Sequence, residues 1–101
     1  MAPAGVGAAP AFAGTATSTR SLAKALAPHT RVNALCVGSM SPDGREADIH
    51  KGLNLAERNA IKRFGAADEA VGAAILLAGD GSSYTTGSTV FVEGGRVGTI
   101  S

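Results

Sequence analysis

Apolar residues fall along this chain in short blocks separated by glycine and proline, and the spacing inside each block predicts its local structure. Leu22, Ala23, Ala25 and Leu26 form one apolar face, Thr17 or Ser18 can cap it, and Pro28 stops it, which predicts a helix over 18–27. Arg31 to Val37 is nearly continuous in apolar character, as in a strand covered on both faces, and Gly38 ends it. Ser39 to Asp48, with Pro42 and Gly44, reads as a loop. A polar helix is predicted over 48–63, with Ile49, Leu53, Ala56 and Ala60 leading to Phe64 along one side. After Gly65, a stronger helix over 67–79 places Asp68 and Glu69 in its first turn, where carboxylates meet the macrodipole favourably. Its stripe is Val71, Ala74, Ile75 and Ala78, widened by Leu76 and Leu77. Ser82 to Gly87 reads as a turn, and Thr89 to Val92 as a buried strand closed by Gly94-Gly95.

Strand, helices and strand in that order make a crossover unit, which joins two parallel strands with right-handed connection. The fold class is therefore α/β, with strands at 31–37 and 89–92. Residues 1–17, rich in Ala, Gly and Pro, read as a loose arm without a regular element, leaving 18–101 as the folded domain.

Composition removes several function classes. Hydrophobic residues at 45% and charged residues at 17% fit a packed globular chain, and 101 residues bury about two-thirds of the surface exposed on unfolding, so stability is thin. A net charge of +1 gives no reason to expect nucleic acid. Cys36 is the only cysteine, so no internal disulfide forms, and its apolar setting reads as a buried thiol. No apolar stretch approaches the ~20 residues that span a bilayer. Ala11-Phe12-Ala13 has the form of a signal-peptidase site, but no basic region or strong apolar region accompanies it, so secretion is rejected and a cytoplasmic location is expected.

Several stretches then carry a resemblance in their order along the chain. They are Thr19-Arg20-Ser21-Leu22-Ala23, Arg31-Val32-Asn33-Ala34, Val37-Gly38-Ser39-Met40, Arg63-Phe64-Gly65, Glu69-Ala70-Val71, Leu76-Leu77-Ala78, Ser82 to Gly87, and Val92-Glu93-Gly94-Gly95. Together they resemble the C-terminal half of a short-chain dehydrogenase/reductase, a Rossmann-fold family that includes the 3-oxoacyl carrier-protein reductases. The resemblance implies a partial Rossmann fold, with 31–37 as the sixth strand of seven, 89–92 as the last, and NAD or NADP as the family's cofactor.

It also exposes what is missing. The family's phosphate turn needs glycines that let backbone N–H groups approach the phosphates. Gly5-Val6-Gly7-Ala8-Ala9-Pro10 begins like that fingerprint, but no strand precedes it and Pro10 takes the third glycine's place. The family's proton-transfer pair, Tyr-x-x-x-Lys, falls on Ala8 and Phe12, or with a gap on Phe12 and Ala16. No catalytic residue is therefore assigned. Tyr84, the only tyrosine, reads as a packing aromatic, and His29 and His50 lack a second ligand at metal spacing, so no metal site is assigned. The loop after the sixth strand contacts nicotinamide in the family. Val37, Gly38 and Met40 occupy it here, with Pro42 where a threonine hydroxyl is expected, and a plain strand-to-loop turn is the alternative reading.

Three functions remain in view. The first is membership of an NAD(P)-dependent oxidoreductase family, with this chain alone inactive and binding neither NAD nor NADP. The second is a non-catalytic module that forms homo-oligomers or pairs with complete family members. The third is a truncated product without function. With the rest of the sheet absent, Leu22, Leu26 and Ile75 are expected to lie uncovered and to drive association.

Overall fold

The computed structural model describes residues 8–45 and 56–95. Helix α1 (Ala8–Leu26) leads to strand β1 (Ala34–Val37) and a two-residue strand β2 (Met40–Ser41). Strand β3 (Gly65–Ala66), helix α2 (Val71–Ala78) and strand β4 (Thr89–Val92) follow, with 3-10 turns at Ala56–Arg58, Ala67–Ala70 and Asp80–Ser82. Strands β1 and β4 pair in parallel, Ala34 opposite Thr89 through Val37 opposite Val92. The α/β crossover unit is thus present, and strand β4 has the predicted bounds.

Four expectations need correction. Residues 8–17 are helical, so α1 starts ten residues before the predicted Ser18. Pro10 is tolerated because it lies in the first turn, where backbone N–H groups have no intrahelical acceptor, and alanine-rich surroundings outweigh the ~1 kcal/mol cost of Gly14. Of the predicted helix over 48–63, residues 48–55 lie outside the described residues, and 56–63 form one 3-10 turn followed by bends. There the backbone bonds across the fold: Ile61 N–H donates to the Gly94 carbonyl (2.8 Å), and the Arg63 carbonyl accepts from Asn59 Nδ2 (2.9 Å). The segment read as a loop from Ser39 contains β2, paired in parallel with β3 as Met40 opposite Gly65 and Ser41 opposite Ala66.

The fourth correction concerns strand β1. Strand β1 buries Ala34 and Cys36 but leaves Val37 exposed, so only one face is covered. Helix α1 packs its small stripe, Thr19 and Ala23, while Leu22 and Leu26 point outward. Thr19 and Ala23 lie one turn apart, and Ala23 Cβ would stand only 3.5 Å from a Cβ added to Gly87, an approach that larger residues would block. In α2 the predicted stripe of Val71, Ala74, Ile75 and Ala78 is exposed, and Leu77 with Ala73 is only partly covered. The buried hydrophobic core of the described residues consists of Ala23, Ala34, Cys36 and Phe64. The expected exposure of Leu22 (51%), Leu26 and Ile75 (66%) is observed.

Candidate functional site

Open parallel sheets collect ligands beyond the carboxyl ends of their strands. In this chain a cavity of about 150 Å³ lies there, walled by Ser39 and Met40 after β1, Glu93 after β4, and Asn59, Arg63 and Glu69 from the connecting segment. Arg63 and Glu69 close it with a two-pronged ion pair, Nη1 to Oε1 at 2.7 Å and Nη2 to Oε2 at 2.9 Å. Arg63 Nη1 also donates to the Phe64 carbonyl (3.0 Å). Glu69 Oε1 accepts from the Ala66 N–H (2.8 Å), which serves an otherwise unpartnered donor at the start of the helical segment. The Arg63 guanidinium first, and then the Ala66 N–H, pull the Glu69 carboxyl down to about 2, while Glu69 raises Arg63 in turn. This pair holds structure: the bonds it makes lie within the loop it closes. Asn59, 2% exposed, donates to the Arg63 carbonyl from within the same loop.

A second polar assembly sits at the other end of β1. Arg31 Nη1 donates to Ser82 O (2.8 Å), Ser82 Oγ (2.8 Å) and Thr85 O (3.2 Å), and Nη2 donates to Leu77 O (3.3 Å) and Gly79 O (3.2 Å). A cation thus meets the carbonyl end of α2, where the helix dipole favours it. Asn33 Nδ2 donates to Thr85 O (2.9 Å), its Oδ1 accepts from Ser88 N–H (3.0 Å), and Val32 N–H donates to Thr86 Oγ1 (3.0 Å). Two stretches that carried the resemblance, Arg31 to Asn33 and Ser82 to Gly87, are therefore the two halves of one interlock. Neither this role nor that of the Arg63–Glu69 pair was read from the sequence, because partners 46–55 or six residues apart leave no periodic signal; Glu69 was read only as a dipole partner.

The residues assigned to a nicotinamide loop are placed as follows. Val37 ends β1 opposite Val92 and is exposed, Gly38 donates its N–H to the Val92 carbonyl (3.0 Å), and Met40 pairs with Gly65. Pro42 lies in an exposed turn. Ala8, Phe12 and Ala16 all fall on the continuous backbone of α1, so the helix that would carry Tyr-x-x-x-Lys is present without that pair. Tyr84 is fully exposed (103%), which corrects its reading as a packing aromatic: among the described residues nothing covers its ring. Cys36 is a buried free thiol, as expected. His29 is exposed at the end of α1, and His50 lies outside the described residues. Among the described residues no cluster of His, Cys, Asp or Glu could hold a metal, and no helix is long and apolar enough to cross a membrane.

The family model described as enoyl-(acyl carrier protein) reductase matches residues 4–96. The chain belongs to the short-chain dehydrogenase/reductase family. It is 37% identical over 82 residues to tropinone reductase-like 3 of Erythroxylum coca, covering 76% of this chain and 31% of that protein. It is 39% identical over 87 residues to L-xylulose reductase of Bos taurus, covering 82% and 36%. Among solved structures, acetoin dehydrogenase from Salmonella typhimurium superposes with a TM-score of 0.68 at 28% identity, over 83% of this chain and 32% of that one. A short-chain dehydrogenase/reductase from Brucella melitensis gives 0.67 at 27%, over 83% and 32%. The chain spans about a third of the length of the curated relatives it matches, a smaller share than the half its motifs suggested.

Family membership implies NAD(P). The cavity of about 150 Å³ is well below the ~300 Å³ at which pockets for drug-sized ligands begin, and a dinucleotide is larger than that. Gly38 does not open it further, since a Cβ there would meet Glu93 Cβ at 2.7 Å. This cavity by itself does not fit the cofactor.

Proposed function

We propose that this chain is the C-terminal part of an NAD(P)-dependent short-chain dehydrogenase/reductase, and that it takes part in hydride transfer only when the phosphate turn and the Tyr-x-x-x-Lys pair are supplied by other polypeptide. On its own it neither turns over substrate nor binds NAD(H) or NADP(H). The observation that carries this reading is the absence of the proton-transfer pair from the helix where the family places it: α1 offers Ala8, Phe12 and Ala16 at the candidate positions. The nicotinamide, when bound to a complete assembly, accepts or delivers the hydride. The residues of this chain contribute a parallel strand pair and the interlocks at its two ends.

The exposed apolar residues favour a second role for the same surface, as the contact through which the chain associates with itself or with complete family members. Leu22 and Leu26 on α1, with Val71, Ile75 and Leu76 on α2, are large, apolar and uncovered, while the buried hydrophobic core of the described residues contains one large side chain, Phe64. A surface of that kind associates in water. A cytoplasmic setting agrees with this reading.

The test joins two measurements on the full chain. Titration calorimetry with NADH and NADPH is expected to give no binding, and micromolar affinity for either would overturn the inactive-alone reading. Sedimentation at low micromolar concentration is expected to give oligomers, and a monodisperse monomer with a sharp melt would remove the association role.

A further inference from the structure

We infer that the segment from Val37 to Ser41 is a structural clasp in this chain, and that Gly38 is required to be glycine by Glu93 and not by a nicotinamide ring. The inference goes beyond the proposed function and concerns the one stretch in which a family cofactor contact was assigned to this sequence. A Cβ at Gly38 would lie 2.7 Å from Glu93 Cβ, 2.9 Å from its Cα and 3.3 Å from its carbonyl oxygen. Two of these three atoms belong to backbone, so the neighbour cannot swing away as the tip of a flexible side chain would. Gly38 also donates its N–H to Val92 O (3.0 Å), which continues the ladder between β1 and β4 by one rung and brings its Cα against the residue that follows Val92.

The next residues are equally committed. The Ser39 carbonyl accepts the Gly65 N–H (2.9 Å), and Met40 and Ser41 pair with Gly65 and Ala66. A Cβ at Gly65 would meet Met40 Cε at 2.9 Å, so the Met40 side chain lies across Gly65. Within five residues the chain leaves one parallel pair and enters the other, and its backbone groups and side chains are used in the crossing. A glycine is what this crossing needs at 38, whatever binds nearby. It follows that Gly38 is not by itself a sign of cofactor contact here.

A double-mutant cycle on the full chain tests this, read by thermal melting in far-ultraviolet circular dichroism with NADH fluorescence titration beside it. Gly38→Ala is expected to lower the melting midpoint by about 10 °C, as overpacking at a rigid contact does. Adding Glu93→Gly removes the Cβ at 2.7 Å, and the double variant is expected to regain part of that loss relative to Glu93→Gly alone. If Gly38→Ala fails to fold while Glu93→Gly folds, the inference is supported, and recovery of a cooperative melt in the double variant assigns the clash to the Glu93 Cβ. An unchanged melt for Gly38→Ala overturns it. So does NADH fluorescence enhancement in the parent chain that Gly38→Ala abolishes without shifting the melt.

Discussion

Two regions of this molecule contrast: the polar interlock at the start of β1 and the outward faces of α1 and α2. Around Arg31 and Asn33, polar groups converge from β1, the end of α2 and the turn before β4, and both Nη atoms of Arg31 and the Nδ2 of Asn33 donate to acceptors inside the chain. On the outer sides of α1 and α2, Leu22, Leu26, Val71, Ile75 and Leu76 face water. The polar side is complete within these residues and the apolar side is not. Hydrogen bonds are directional and local, so one strand and one turn can satisfy each other; apolar burial needs area, and a two-stranded sheet does not present enough of it to cover two helices on both faces.

Removing the complete side should cost most. Arg31→Met keeps the apolar stem and deletes five charge-assisted hydrogen bonds, leaving the Ser82 carbonyl to the Thr85 N–H and the Thr85 carbonyl to Asn33 Nδ2 alone. A loss of about 2–3 kcal/mol is expected in urea unfolding, a large fraction of the stability of a chain this small. Loss below about 0.5 kcal/mol would show that the interlock is decorative and would erase the contrast between the two sides.

The incomplete side should respond in the opposite way. Leu22→Glu combined with Ile75→Lys leaves the net charge at +1 and places charges on the exposed faces. Intrinsic stability should move by no more than about 0.5 kcal/mol, because neither side chain has a covering to lose. The sedimentation profile should shift toward monomer. An unchanged oligomer distribution would separate apolar exposure from association and leave the edge of β1 that pairs with no strand among the described residues as the cause.

The smallest effect belongs to the Arg63–Glu69 pair, which is ordered but half-exposed, so solvent screens it. The Glu69 carboxyl is lowered from its ordinary value of 4.5 to about 2 on folding, so its contribution is fully present above pH 4.5. It is lost as pH falls from 4.5 through 2. Glu69→Gln should therefore melt slightly below the parent at pH 7 and converge with it near pH 2. A gap between the two that stays constant across that range would mean that packing of the side chain, and not its charge, supports the loop.

Much of the fold was legible before any coordinates. The β4 strand, the parallel pairing and the helix after Gly65 follow from runs of apolar residues bounded by glycine, and the ordered motifs carried the family. The absence of Tyr-x-x-x-Lys was legible too, because it depends only on which residues stand at i and i+4. Periodicity misread Pro10, since a proline in a first turn and a proline in a loop look alike without knowing where the helix begins. It also misread 56–63, where the Asn59 and Gly94 contacts take the backbone out of helical bonding.

By itself, then, the sequence determined the features whose signal is local: the strand runs, the helix after Gly65, and the lack of a Tyr-x-x-x-Lys spacing among these 101 residues. Only the tertiary structure decided which face of α1 is buried, that Arg31 meets the carbonyl end of α2, that Arg63 reaches Glu69, and that Gly38 lies against Glu93. The physical reason is sequence distance. Arg31 and Ser82 are 51 residues apart, and Gly38 and Glu93 are farther still. No spacing rule relates such positions until the parallel register of β1 and β4 has brought them together.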